Sequence, residues 1–305
     1  MKISYSIILI FLLSITFYGC DKKGQEQIHQ AVTKFNSGDY KGAIADYTQA
    51  IQIDPRNADS YNNRGLAKYK LQDFQGAMAD YKKAIEINPK RAIVYSDMGL
   101  ANYELHDFQG ALVNCNKAIE LNPDLEEAYC NRGLAKNSLR DFKGAITDYN
   151  KSIELNPRIA VVYFNRGLAK YELQDLQGAL VDYNKAIELN PNLVEAYSNR
   201  GNVKNLLEDF KGAIADFNKS IEFNPKLEEM FSNRGVAKFK LLDYKGAIAD
   251  YDKAIELKPD FAIAYYNRGV AKIIIGQKKS GCMDLSKAGE LGNPVAYESL
   301  KNFCK

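Results

Sequence analysis

The sequence is poor in the residues on which enzymatic sites depend. Its 305 residues include two histidines, five cysteines and no tryptophan. His29 and His106 lie far apart in the chain, and no group of histidines and cysteines has the spacing of a metal site. A glycine-rich phosphate loop and a nucleophile motif are also missing. We therefore expect a protein that is not an enzyme and that uses no cofactor, no metal and no small-molecule substrate.

The sequence also lacks an excess of charge of one sign. Charged residues make up 26% of the chain, but they are interspersed and leave a net charge of only +3. Binding to nucleic acid draws much of its affinity from lysine and arginine side chains that neutralise phosphates, and these would form a basic stripe. Because no such stripe is present, nucleic acid is not an expected partner.

The N-terminus is typical of a bacterial export signal. Lys2 precedes an apolar run that ends in Gly19-Cys20, followed at once by polar residues. This ending resembles a lipobox, in which cleavage precedes a cysteine that then carries lipid. We expect a signal peptide at 1–19 and a lipidated cysteine with a short tether at 20–23. The alternatives are an uncleaved membrane anchor and ordinary secretion. The expected location is the bacterial cell envelope, on either its periplasmic or its surface face.

The most prominent feature of the sequence is repetition. Seven prolines recur at an interval of 34 residues, at positions 55, 89, 123, 157, 191, 225 and 259. The segment YNNRGLAKYKLQDFQGAMADYKKAIEINP at 61–89 returns with few changes at 163–191. A fixed period of this length indicates a protein built from stacked structural repeats.

This period and this segment resemble the tetratricopeptide repeat (TPR) family over residues 24–295. The resemblance implies an all-α protein, a right-handed α-solenoid of eight helix-turn-helix hairpins with a C-terminal capping helix. The expected repeats are 24–57 (degenerate), 58–91, 92–125, 126–159, 160–193, 194–227, 228–261 and 262–293, followed by the capping helix at 294–305.

Several positions within the repeat have a direct physical reading. We number them from the first residue of each repeat. Position 8 is glycine in seven repeats, at a cost of about 1 kcal/mol relative to alanine, which indicates a close contact between two helices. Positions 4 and 24 are mostly tyrosine, and they account for 11 of the 20 tyrosines of the chain. An aspartate such as Asp73 is the expected N-cap of the second helix, and the proline after that helix ends it.

Arginine at position 7 and aspartate at position 23 predict an ion pair inside each hairpin, such as Arg64 with Asp80. The third repeat loses both charges together, with Met98 and Asn114, and it has Asn102 where other repeats have a lysine at position 11. This joint loss favours pairing within one repeat. The alternative is a solvated face of little energetic weight.

The resemblance implies that the first helix of each hairpin lines a concave groove. Position 6 of that helix is mostly asparagine, and Asp97 and His29 are the exceptions. The expected binding residues are the asparagines Asn63, Asn131, Asn165, Asn199, Asn233 and Asn267, with the position-12 rings Tyr69, Tyr103, Tyr171 and Phe239. Such asparagines would hydrogen-bond the backbone of an extended peptide. The alternative is packing between neighbouring first helices, without a ligand.

The expected partner is a protein or peptide segment of neutral or basic character. Position 2 carries no lysine and includes Asp59, Glu127, Glu195 and Glu229. This composition argues against the carboxylate clamp by which some TPR proteins bind the C-termini of heat-shock proteins. We therefore expect a membrane-anchored adaptor or scaffold that binds an extended segment. The alternatives are a self-associating structural spacer without a peptide ligand and a noncatalytic subunit of an envelope enzyme complex.

The remaining cysteines have structural interpretations. Cys115 replaces the usual tyrosine at position 24, and we expect it to be a buried free thiol. Cys282 and Cys304 lie in the last repeat and the capping segment. In an oxidising compartment these two would either form a disulfide that fixes the capping helix or remain reduced.

Overall fold

The computed structural model describes residues 22–304, and within that range all regular secondary structure is helical. The chain divides into two compact units, residues 22–169 and 170–304. The first helices of the successive hairpins, the A helices, are α1 (Lys22–Asn36), α3 (Ala58–Lys70), α5 (Ala92–Glu104), α7 (Glu126–Ser138), α9 (Ala160–Glu172), α11 (Val194–Leu206), α13 (Glu228–Lys240) and α15 (Ala262–Ile274).

Each A helix is followed by a B helix. The B helices are α2 (Tyr40–Ile53), α4 (Phe74–Ile87), α6 (Phe108–Leu121), α8 (Phe142–Leu155), α10 (Leu176–Leu189), α12 (Phe210–Phe223), α14 (Tyr244–Leu257) and α16 (Lys278–Glu290). A last helix, α17 (Ala296–Phe303), follows them. Consecutive helices pack on each other from α1 to α8 in the first unit and from α10 to α17 in the second. The predicted fold class, an all-α solenoid of helical hairpins, is confirmed.

The caps of the B helices are those predicted from the repeat. In each of the B helices α2 to α14, the preceding aspartate accepts a hydrogen bond from the backbone N–H of a glycine three residues later. For α4 this bond joins Gly76 N to Asp73 Oδ1 at 2.9 Å. The same helix ends at Ile87, two residues before Pro89. Local sequence therefore determines both ends of the helix.

The turns inside the hairpins require a left-handed residue at position 15. Gly38 and Gly276 have φ values of 85° and 84° and meet this need without strain. Six hairpins place other residues there, with φ between 60° and 64°: Gln72, His106, Arg140, Gln174, Glu208 and Leu242. A side chain with a Cβ atom is unfavourable in this region, so these turns are less stable than glycine would make them.

Glycine at position 8 allows the two helices of a hairpin to approach closely. A Cβ atom on Gly133 would lie 2.6 Å from Cε1 of Tyr149, a ring that is fully buried. Gly235 stands in the same relation to Tyr251. The core of a hairpin is therefore a large ring at position 24 packed directly on the backbone of the A helix.

The predicted ion pair inside the hairpin is confirmed. Arg64 donates to both carboxylate oxygens of Asp80, at 2.8 and 2.7 Å, and Lys68 contacts the same carboxylate at 2.7 Å. The arrangement recurs in the pairs Arg132–Asp148, Arg200–Asp216, Arg234–Asp250 and Arg268–Asp284. In each pair the aspartate is buried and the arginine side chain is between 15% and 20% exposed.

The same arginines also contact the preceding hairpin, which the sequence did not lead us to expect. Arg64 Nη1 donates to Thr48 Oγ1 at 3.1 Å, and Arg132 Nη1 donates to Asn116 Oδ1 at 2.7 Å. The third hairpin has a neutral arrangement instead. There Asn114 donates to Asn102 Oδ1 at 3.1 Å, and Asn102 donates to Asp107. Position 7 thus joins neighbouring hairpins as well as the two helices of its own.

The C-terminal helix is covalently fixed. Cys282 of α16 and Cys304 form a disulfide, with Cα atoms 5.8 Å apart. Cys115 and Cys130 are buried free thiols. The predicted signal peptide and Cys20 lie outside the described residues. Of the helices within residues 22–304, none combines the length and the apolar character needed to cross a membrane.

Candidate functional site on the A helices

The position-6 asparagines occupy several different environments. Asn131 and Asn165 are buried, whereas the other four are partly buried. Asn131 Nδ2 donates to the backbone carbonyl and hydroxyl of Ser96, at 3.2 and 3.0 Å. Asn233 Nδ2 donates to Asn202 Oδ1 at 3.0 Å, and Asn199 Nδ2 to the carbonyl of Glu195 at 2.8 Å. Asn131 and Asn233 therefore bridge neighbouring A helices, and a continuous asparagine ladder for a peptide stays a prediction.

The position-12 rings pack mainly inside their own hairpins. The ring of Tyr69 lies 5.2 Å from that of Phe74, between ring centroids, and Tyr103 lies 5.7 Å from Phe108. Phe239 packs on Tyr244 at 5.2 Å, and Tyr171 is partly buried. Each of these three pairs joins position 12 to the first residue of the following B helix. The role of these rings in binding likewise stays a prediction.

One group of polar residues crosses three A helices of the first unit. We call Asn62, Asp97, Glu127 and Asn131 the α3–α5–α7 cluster. Asn62 on α3 is close enough to the Asp97 carboxylate on α5 to influence its pKa, and Asn131 on α7 hydrogen-bonds Ser96 beside Asp97. Glu127 precedes Asn131 by one helical turn, so both side chains lie on the same face of α7. The two position-6 residues Asp97 and Asn131 therefore belong to one continuous site.

The two carboxyl groups of this cluster are abnormally basic. Burial is the main cause that raises the pKa of Asp97 to about 7, and repulsion by Glu127 adds to it; the hydrogen bond from Asn62 acts in the opposite direction. Burial also raises the pKa of Glu127, with a contribution from the neighbouring Glu126. Both carboxyl groups therefore have pKa values raised toward neutral pH, which is uncommon for carboxyl groups in proteins.

Three buried oxygen atoms of the cluster have no hydrogen-bond donor in the chain. They are Oδ1 of Asn62, Oε2 of Glu127 and Oδ1 of Asn131. The residues that carry them are 6%, 9% and 3% exposed, respectively. Buried polar atoms are nearly always hydrogen-bonded, because an unsatisfied one costs about 1–3 kcal/mol. All three are acceptors, so the cluster as a whole lacks donors.

Two positive side chains, Arg91 and Lys70, lie near the cluster but form no ion pair with its carboxylates. Arg91, at the start of α5, forms an ion pair with Asp59. Burial lowers the pKa of Lys70, and its charge acts on Asp97 without ion-pair contact. Among the residues that the structure describes, the Asp97 and Glu127 carboxylates form no ion pair with a lysine or arginine, and no group of histidine, cysteine and acidic residues is arranged to hold a metal ion.

In the sequence, Asp97 is an exception to the position-6 asparagines and Glu127 is one of several acidic residues at position 2. Neither pattern alone predicts that the two carboxyl groups lie together. The usable signal was their spacing: position 6 of one repeat and position 2 of the next lie on neighbouring A helices. A rule that compares adjacent repeats, rather than aligned positions, would have found the cluster.

Two repeat-family models match the chain. The model described as TPR repeat matches residues 33–72, 167–207 and 243–272. The model described as Tetratricopeptide repeat matches residues 58–91, 126–159 and 194–227. Together these matches cover more than half of the chain. A comparison with curated proteins found no match.

Several solved structures have a similar fold. YrrB, described as a TPR protein with an unusual peptide-binding site, is 26% identical, with a TM-score of 0.55 over 60% of this chain and 95% of YrrB. PilF of Pseudomonas aeruginosa is 19% identical, with a TM-score of 0.60 over 70% of this chain and 98% of PilF.

A third similar structure is the APC/C hetero-tetramer Cut9–Hcn1. It is 17% identical, with a TM-score of 0.62 over 92% of this chain and 55% of the matched chain. This chain therefore spans about half the length of that relative. At identities this low, the likeness to PilF and to Cut9–Hcn1 shows the fold alone.

Proposed function

The chain belongs to the tetratricopeptide repeat family, and from that premise we propose that it is a membrane-anchored scaffold that binds an extended protein segment along its A helices. Proteins of this family bind protein or peptide partners, and the repeats account for most of the chain. A protein-interaction scaffold is therefore the coarse function. The anchor, the groove and the form of the partner are our proposal.

One observation carries the proposed site: the buried acceptors of the α3–α5–α7 cluster that receive no hydrogen bond from the chain. Single buried acceptors without a donor also occur elsewhere, such as Oδ1 of Asn205, but the α3–α5–α7 cluster brings three of them together, and each carries a desolvation cost. An extended segment carries an N–H donor at most residues and can supply what the cluster lacks. The description of YrrB as having a peptide-binding site is consistent with this proposal.

The proposed anchor is lipid on Cys20. The apolar start of the chain and the Gly19-Cys20 ending support a lipoprotein of the bacterial envelope. Two or three acyl chains on one cysteine would tether the protein stably, because a single chain binds a membrane only marginally. The repeats would then act beside a membrane surface.

A structural spacer is the second candidate, and the bridging asparagines favour it. Asn131 and Asn233 bond to neighbouring A helices, which stiffens the array without any ligand. This role and peptide binding use overlapping residues. They differ in whether the A-helix face also accepts a segment from outside.

The test of the scaffold is selection of displayed random 12-residue peptides on the full chain in detergent micelles. Enriched peptides would be synthesised with a photo-crosslinking residue, and the attachment points would be located by mass spectrometry. We expect attachment on α3, α5 and α7. Attachment only to B helices would refute the proposed site. The absence of any enriched peptide, together with concentration-dependent oligomers in light scattering, would favour the spacer.

The anchor has a separate test. Metabolic labelling with a fatty-acid probe, followed by membrane fractionation, should show label on the wild-type chain and loss of both label and membrane association for Cys20→Ala. Membrane association without label in the wild type would instead indicate an uncleaved anchor.

A further inference from the structure

The third repeat departs from the others on the A-helix face. It places Asp97 where six repeats have asparagine, and the next repeat places the buried Glu127 beside it. Glutamate also stands at position 2 of later repeats, where Glu195 is partly buried and Glu229 is exposed. Of these three glutamates only Glu127 is buried, and the partly buried Asp97 lies on the neighbouring A helix.

The hydrogen bonds of the cluster specify the kind of ligand. The amide nitrogen of Asn131 already donates to Ser96, and Asn62 lies close enough to the Asp97 carboxylate to lower its pKa. The atoms that remain without a partner are the oxygens of Asn62, Glu127 and Asn131. A ligand that matches them must bring several donors and no acceptors. Guanidinium has five N–H donors and ammonium three, and neither has an acceptor.

The two carboxyl groups of the cluster also favour a cationic ligand. Two carboxylates on adjacent helices repel each other, and burial weakens their hydration. A cation between them would remove the repulsion and replace lost hydration by charge-assisted hydrogen bonds. A neutral donor such as a hydroxyl would satisfy one oxygen and leave the repulsion unchanged.

We propose that the α3–α5–α7 cluster recognises a basic side chain, an arginine or lysine of the bound protein segment, which donates to Asp97 and Glu127. The proposal rests on the proposed function, because it names the feature of the segment that the groove selects. Such a contact would make the first unit of the chain specific for segments that carry a basic residue at the position facing the cluster.

Binding of such a side chain should be linked to protons. The ionisable groups around the pair are Glu126 and Cys130 on α7, Arg91 at the start of α5, Lys70 and Tyr69 on α3, and Tyr81 on α4. The tyrosines and Cys130 stay neutral near pH 7, because burial raises their pKa values. A bound cation favours the ionised carboxylates, so it displaces a proton near neutral pH, and affinity should weaken as the pH falls from 8 to 6.

The test compares peptide selection on three full-length proteins: wild type, Asp97→Asn/Glu127→Gln, and the matched control Glu229→Gln. The control removes an acid from the same repeat position where it is exposed. We expect wild type and control to enrich peptides with arginine or lysine at one register, and the double variant to lose that preference. Circular dichroism and melting curves would establish that all three proteins are folded.

A double-mutant cycle then isolates the contact. The tightest selected peptide is synthesised with its basic residue and with citrulline or norleucine in its place. In the wild type this replacement should weaken binding by about 10- to 100-fold, and in the double variant it should have little effect. Calorimetry at pH 7 in two buffers of different ionisation enthalpy should show proton release in the wild type and none in the double variant.

The outcomes separate this inference from the proposed function. Peptides that crosslink to the A helices but show no preference for a basic residue would support the proposed scaffold function. They would overturn the proposed recognition of a basic side chain. A basic preference that survives in the double variant would overturn it too, since the contact would then lie elsewhere. If the wild type selects no peptide at all, both proposals fail.

Discussion

The third and seventh hairpins have helices of the same lengths, 13 and 14 residues, but distribute charge differently. In the seventh, α13 and α14 are joined by Arg234, Lys238 and Asp250, and Tyr251 packs on Gly235. In the third, α5 and α6 meet through the neutral pair Asn102 and Asn114, and Cys115 replaces the ring. Both hairpins keep an aspartate N-cap and a left-handed turn residue.

This difference shows which parts of the repeat are exchangeable. The third hairpin folds without the internal ion pair, so the caps, the turn and the apolar core suffice to define its backbone. Its charge lies instead on the A-helix face, at Asp97, where the seventh hairpin has Asn233. The third repeat thus loses charge between its two helices and gains charge on the A-helix face, which is the pattern expected of a specialised site in a regular array.

The largest effect should come from removing the internal aspartate of the seventh hairpin. Asp250→Ala leaves Arg234 and Lys238 without their carboxylate, and we expect the free energy of unfolding to fall by about 2–4 kcal/mol. Asn114→Ala at the same position of the third hairpin removes one neutral hydrogen bond and should cost about 1 kcal/mol. Urea denaturation measures both changes. Equal losses would mean that the ion pair contributes nothing beyond a neutral bond.

The next effect concerns pH and the A-helix face. Because burial raises the pKa of Asp97 from 3.8 to about 7 and also raises that of Glu127, the folded chain binds more protons than the unfolded chain in this range. Their contribution to stability is present below pH 4 and is lost as the pH rises through about 7. Asp97→Asn/Glu127→Gln should therefore match the wild type at pH 4 and exceed its unfolding free energy by about 2 kcal/mol at pH 8.

The control for this prediction is Glu229→Gln in the seventh hairpin. Its carboxylate is exposed, so the variant should follow the wild type at every pH. The test is to measure the unfolding free energies of the three proteins from denaturation curves at pH 4, 6 and 8. A double variant that is less stable than wild type at pH 8 would show that the two carboxylates stabilise the fold.

The close approach of the helices provides a smaller effect. Gly235→Ala would place a Cβ atom 2.6 Å from Cε1 of the buried Tyr251, and overpacking should outweigh the better helix propensity by about 1–2 kcal/mol. Gly99→Ala would place a Cβ atom even closer to Sγ of the buried Cys115, but a rotation of that small side chain about χ1 can relieve the contact, so the loss should be smaller, below about 1 kcal/mol. Thermal melting of the two variants gives the comparison. A larger loss for Gly99→Ala than for Gly235→Ala would mean that α13 and α14 separate to accommodate the methyl group.

The smallest effect should be the same in both hairpins. Leu242 and His106 occupy left-handed turn positions, with φ of 64° and 60°. Replacing either by glycine should raise stability by about 0.5–1 kcal/mol, because relief of strain exceeds the added entropy of the unfolded chain. Leu241→Gly, one residue earlier and outside the left-handed region, should instead destabilise. A gain in one hairpin and a loss in the other would contradict the shared turn geometry.

Most of the fold was predictable because its determinants are local and repeated. Asp73 and its equivalents fix where B helices begin, the Asn-Pro pairs fix where they end, and the joint loss at Met98 and Asn114 indicated that the ion pair lies within one hairpin. The second contact of each arginine, to the preceding hairpin, was missed because it joins position 7 to the variable position 25.

The candidate site was less predictable because it depends on distances between repeats. The sequence shows Asp97 and Glu127 at known positions, but burial is set by how closely α5 packs on α7, and periodicity does not encode that spacing. The asparagines were expected to form one uniform column. Their different partners, from Ser96 to Asn202, arise because position 5 and position 9 of the neighbouring helices vary from repeat to repeat.

The disulfide between Cys282 and Cys304 gives the array a direction. In a stack of repeats the terminal units have one neighbour and open first. At the C-terminal end α17 is covalently joined to α16, whereas at the N-terminal end Gln30 stands where other repeats have the arginine, and Lys34 pairs with Asp46. Of the two end helices, α17 is therefore held by a covalent bond and α1 by noncovalent contacts alone, and we expect the amide hydrogens of α1 to exchange faster.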